Sequence, residues 1–184
     1  GVEYAGLRPI PGLLERHLGP GGRFRLLLHR ADSDVVRPRL RDLDELDGLL
    51  GDEGPLGALA AWRDGAVDGA ALERSVRAWL AAPVLRTRRL SGQLIAAIDA
   101  LLGTSEREGL GAAVPATDTL LARVRGERQR LAQLRDAALD RDALGGLVDA
   151  IGAVGLRVER AEPADLGEPP ARVGWVLEGV RPGP

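Results

Sequence analysis

From Val36 onward the aliphatic residues return at three- and four-residue spacing: Val36, Leu40, Leu43, Leu46 and Leu50 stand four, three, three and four apart. Side chains at that spacing share one face of a 3.6-residue turn, so the period dictates an amphipathic helix. With interruptions the pattern continues to about Ile151. The apolar 45% of the chain is overwhelmingly Leu, Ala and Val, and aromatic residues are only 3%. Leu and Ala favour helix and β-branched residues are scarce, so the core is expected to be mostly helical. At 184 residues it needs no disulfide staple.

The period predicts where each element lies. Gly1–Gly22, broken by Pro9, Pro11 and Pro20, leaves space for a short helix at Leu13–Leu18 and reads as a cap outside the core. In "RFRLLLHR" (Arg23–Arg30) Phe24, Leu26 and Leu28 alternate, which predicts a strand. A helix from about Pro38 ends near Gly51, and a short one spans Pro55–Arg63. Asp68 can cap another through Ala82, with Leu72, Val76, Trp79 and Leu80 on one side. Val84–Gly103 reads as a helix closing at Gly103, followed by a polar connector at Thr104–Pro115. Thr117 or Asp118 can cap a long segment in which Leu120, Val124, Leu131, Leu134 and Ala138 keep register. Asp140–Asp142 and Gly145-Gly146 suggest one break before Leu144, Leu147, Val148 and Ile151. Gly155–Arg160 and Ala171–Val180 read as strands, joined by a loop at Ala161–Pro170.

The expected architecture is α+β and predominantly α: about six helices in a bundle, with a small sheet of about three strands, in a single domain over 1–184 whose β-containing part starts near 155. The expected core includes Leu43, Leu46, Leu72, Val76, Trp79, Leu94, Ile98, Leu131, Leu134, Leu147 and Ile151. With no initial Met, the chain is expected to be processed or to be part of a longer protein. No signal-peptide core and no apolar run near 18 residues is present, so a cytoplasmic, membrane-free protein is expected.

Chemistry is constrained mainly by what is missing. No Cys means no thiolate nucleophile, disulfide or Cys-ligated metal, and the lone His17 and His29 form no H-x-x-x-H pair. With no Lys there is no P-loop lysine, and G-x-G-x-x-G is absent too. Ser33, Ser75, Ser91 and Ser105 lack a G-x-S-x-G elbow. No catalytic residue, cofactor or metal ligand is therefore nominated, and an enzyme built from Arg and carboxylate groups invisible in sequence stays an alternative.

"RDLDELDGLLGDEG" (Arg41–Gly54) holds the densest carboxylate cluster. Read as a calcium loop from Asp42, it places Asp44 third and Glu53 twelfth but Leu46 fifth and Asp47 sixth, where glycine is needed. Leu40, Leu43, Leu46 and Leu50 keep helical spacing through it, so Asp42, Glu45, Asp52 and Glu53 are expected on a solvated face. "RTRR" (Arg86, Arg88, Arg89) and "RVRGERQR" (Arg123, Arg125, Arg128, Arg130) carry no aromatic base readers, and the net charge is −2. Nucleic-acid association through arginine-bearing helices is a second alternative.

The C-terminal order of a long helix, a paired helix and a β-rich end closing in "VLEGVRPG" resembles, over about the last third of the chain, nucleotide exchange factors of the GrpE type. That resemblance implies a chaperone-cofactor role as a third alternative. The helical stretch preceding it departs from that family, and no residue is carried over. The primary expectation is a non-enzymatic interaction, scaffold or regulatory domain. Its helix face over Leu120–Ala138, with Leu120, Val124, Leu131, Leu134, Arg125 and Arg128, docks a protein partner or a second copy.

Overall fold

A computed structural model describes residues 7–81 and 89–183, with the backbone alone of Arg89. Within them run α1 (Ile10–His17), β1 (Arg23–His29), α2 (Val36–Leu50), α3 (Pro55–Arg63), α4 (Gly69–Ala81), α5 (Arg89–Glu108), α6 (Leu110–Ala137), α7 (Arg141–Ala153), β2 (Arg157–Leu166) and β3 (Ala171–Val180). The fold is α+β and predominantly α, with, among the described residues, a three-stranded sheet and one helix more than six. Backbone contacts group the chain into two compact units, Gly1–Leu40 with Leu131–Pro184, and Arg41–Arg130. The divisions fall inside α2 and α6.

The first unit carries the sheet, antiparallel throughout, in the order β1-β3-β2. Alternation along β1 and β3 sends Phe24, Leu28, Trp175 and Leu177 to one face, where they meet Leu144, Leu147 and Ile151 of α7 and Ile10 of α1. Ile151 and Leu177 are fully buried, a transfer worth roughly 2 kcal/mol for each side chain. At Gly179 a Cβ would fall 2.5 Å from the Phe24 ring, so only glycine lets that ring lie on the strand. Leu139, between α6 and α7, pairs with Arg30 in a parallel bridge, and its carbonyl accepts from the Trp175 indole N–H at 2.9 Å. The N-terminal segment is not the expected outlying cap: α1 starts at Ile10, and that side chain is in the core. Arg181 donates to the Glu15 and Leu18 carbonyls, satisfying acceptors that the end of α1 leaves open.

The second unit is helical. Leu43, Leu46 and Leu49 of α2, Leu56, Leu59 and Trp62 of α3, Leu72 and Val76 of α4, and Leu94, Ile98, Leu101 and Leu102 of α5 are all buried. Asp68 Oδ1 accepts from the Ala71 N–H at 2.7 Å, as its capping position predicts. α5 does not close at Gly103, and the expected connector at Thr104–Pro115 is helical. The turn comes at Gly109, whose φ of 87° is accessible mainly to glycine, while Thr104 back-bonds to the Ala100 carbonyl inside the helix. α6 then runs through Pro115, which has no N–H to donate to the Gly111 carbonyl. Thr117, expected to cap, is buried and bonds to Ala113 O.

Near the C-terminus the expected break comes at Asp140, which caps α7 by accepting from the Ala143 N–H at 2.8 Å, while Gly145-Gly146 lies within α7. One further expectation shifts. β2 extends to Leu166, so most of the expected loop at Ala161–Pro170 is strand. Pro163 is tolerated there because β2 is an edge of the sheet. The first residues of Val84–Gly103, up to Arg88, lie outside the described residues. No helix among the described residues is long and apolar enough to cross a membrane.

Candidate functional site

α6 displays its residues differently from the expectation that a leucine stripe faces outward. Leu131 and Leu134 are 1% and 4% exposed and Val124 is also buried, so these three side chains do not lie on an exposed face. The buried positions of α6 are Ala113, Thr117, Leu121, Val124, Leu131, Leu134 and Ala137. Leu120 sits one residue off that stripe and is half-buried.

Within the second unit, Leu120 and Val124 line a groove of about 540 Å³ with Leu90, Leu94 and Ala97 of α5 and Leu46 of α2. Leu46, Leu94 and Val124 form a buried floor, while Leu90, Ala97 and Leu120 are half-buried walls. Gln93, Arg123 and Glu127 supply polar groups at its edge. Glu127 is engaged by Arg130 through two bonds of 2.7 and 2.8 Å. Arg123 has no ion pair among the described residues. The groove therefore combines apolar walls with an available guanidinium.

The remaining expected contacts of α6 are dispersed. Arg125 is exposed, and Arg128 is held by Asp47 of α2. With Arg130 also paired, two of the four arginines of "RVRGERQR" already meet carboxylates, and no single basic stripe results. Arg86 and Arg88 lie outside the described residues. Arg63 at the end of α3 bonds both Asp64 and Asp118, which raises its pKa further and holds the Asp64 carboxyl below the usual carboxylate range.

The acidic run is helical from Arg41 to Leu50, as the leucine spacing requires, and among the described residues no three His, Asp or Glu groups are placed to hold a metal. One member departs from the expected solvated face. Glu45 is 3% exposed, and its Oε1 accepts from the Ser91 N–H at 2.7 Å and the Ser91 hydroxyl at 2.6 Å. Ser91 lies in the first turn of α5, where N–H groups have no acceptor inside the helix. The available signal was Leu49: it lies four residues beyond Glu45, is fully buried, and widens the inward face past the Leu43–Leu46–Leu50 stripe.

In the first unit the face of the sheet opposite the core carries ion pairs across strands: Arg23–Glu159, Arg25–Glu178 and Arg160–Glu178. Beside them lies a concavity of about 440 Å³ that includes Leu27 and Leu166, 60% and 63% exposed. At the end of that sheet Arg30 stacks 4.7 Å over the Trp175 ring and chelates Asp32, which Arg172 approaches at 3.6 Å. No family model, curated protein or solved structure matches the chain.

Proposed function

We propose that the chain is a protein-interaction module, and that the groove between α5 and α6 receives an amphipathic helix of a partner protein. The observation that carries this reading is a groove with three half-buried aliphatic walls and, on its edge, an arginine without an ion pair among the described residues. Helices that dock in grooves do so through apolar residues at i, i+3, i+4 and i+7. The matching partner has such a stripe plus a carboxylate that reaches Arg123, because opposite charge at a rim sets register and speeds encounter. The surface differs from the face expected from sequence. It keeps Leu120 and Val124 and exchanges Leu131 and Leu134 for Leu90 and Leu94.

The test is site-specific photo-crosslinking from position 120 in lysate of the source organism, with adducts mapped by mass spectrometry. An adduct on a peptide of that pattern, weakened about tenfold by Arg123→Glu at unchanged melting temperature, is the expected result. Adducts formed from position 27 or 166 but not from 120 would move recognition to the open sheet face and reject the groove. Adducts lost on nuclease treatment would favour the nucleic-acid alternative.

A further inference from the structure

We infer that Glu45 is a positioning residue for this groove, a latch that sets the spacing of its walls; the functional weight of the inference rests on the docking reading above. Glu45 is a buried carboxylate with no ion pair among the described residues. A buried polar group is tolerated only when hydrogen bonds replace its water, and here both bonds to Oε1 come from Ser91. The partner position adds to them, since a carboxylate is favoured at the N-terminal end of a helix dipole. An apolar side chain at position 45 would fill the same space without that requirement.

What the carboxylate adds is register. The neighbour of Glu45 is Leu46, on the groove floor, and the neighbour of Ser91 is Leu90, on its wall. Two short hydrogen bonds from Ser91 to one Glu45 oxygen thus tie the α2 floor to the first turn of α5. Packing between aliphatic side chains is non-directional and lets helices slide, whereas two hydrogen bonds to one oxygen fix both distance and angle. Released from Glu45, the first turn of α5 is free to move against α2, and the groove changes width.

The absence of cysteine makes the test clean, because introduced cysteines are the only labelling sites. Spin labels at positions 93 and 123 report the distance across the groove, and a second pair at 60 and 74 reports α3 against α4, all in the full chain without partner. The parent is expected to give narrow distributions for both pairs. Glu45→Ala should broaden or shift the groove pair alone, Glu45→Asp should shift it without broadening, and Glu45→Gln, which keeps the acceptor oxygen, should restore the parent distance. A parent-like groove distance in Glu45→Ala overturns the inference, and so does equal broadening of both pairs, which would mean general loosening of the core. If Glu45→Ala does not fold, Glu45→Asp decides: an unchanged groove distance overturns the latch. Because no partner enters the measurement, failure of the latch and failure of docking are read separately.

Discussion

The two compact units handle charge in opposite ways. In the unit bearing the sheet, β1 and β3 place Arg25 and Glu178 on the open face, beside the exposed Leu27, and Leu26 and Leu177 on the core face, so the charges stay off the core. In the helical unit the carboxylate of Glu45 lies among leucines of its own helix, and Arg63 at the end of α3 bonds Asp64 and Asp118 of α6. The contrast comes from backbone geometry. A strand turns each successive side chain by about 180°, leaving no intermediate direction, whereas a helix turns it by about 100° and leaves flanking positions that neighbours decide. Flanks are where a helical protein can hide a polar group.

The largest effect is expected on α6, at Leu131, just where the sheet-bearing unit resumes. Substituting Asp there places a charge at a position only 1% exposed, and we expect loss of the cooperative thermal transition, followed by circular dichroism. Leu120→Asp, at a half-buried flank, should melt close to the parent, and equal melting of the two variants would refute the division of α6 into stripe and flank.

A smaller effect is expected where single polar atoms hold helix ends. Ser33 is fully buried and its hydroxyl accepts from the Val36 N–H at 3.1 Å at the start of α2. Ser33→Ala should cost about 1 kcal/mol, the usual worth of an N-cap. For a chain of this size that corresponds to a melting temperature lower by about 3 °C, measured by calorimetry.

The smallest effect concerns the surface pairs. The hydrogen bond from Arg30 lowers the pKa of Asp32 from its ordinary 3.8, against partial desolvation. A carboxylate with a lowered folded-state pKa contributes stability that is whole above the unfolded value and disappears as pH falls through the folded one. An NMR titration of the Asp32 carboxyl should therefore have its midpoint below 3.8, and Arg30→Gln should bring it back toward that value. Asp32 is half exposed, so its share of acid stability is screened and small.

How much was legible follows the same division. Phe24, Leu26 and Leu28 announced a strand because a strand admits one inward direction, and Pro55–Arg63 was bounded in sequence by its proline and by the charged end. Leu43, Leu46, Leu72, Val76, Leu94, Ile98, Leu131, Leu134, Leu147 and Ile151 are inside, as their spacing predicts, whereas Trp79 is only half-buried. The end of α5 was misplaced because Gly103 and Gly109 are the same residue type in sequence, and only the backbone path makes Gly109 the one with positive φ. Glu45 and Ser91 could not be linked at all, being 46 residues apart with no local signal joining them.

By itself the sequence determined the kind of most elements, Thr104–Pro115 and Ala161–Leu166 excepted, the α-rich class and the absence of thiol and P-loop chemistry, because period and composition act locally along the chain. Only the tertiary structure decided which flank of α6 faces inward, that β3 lies between β1 and β2, that α1 belongs to the core, and that Glu45 is buried. Those outcomes depend on which distant surfaces arrive to exclude water from a side chain, and periodicity specifies a face without specifying its neighbour.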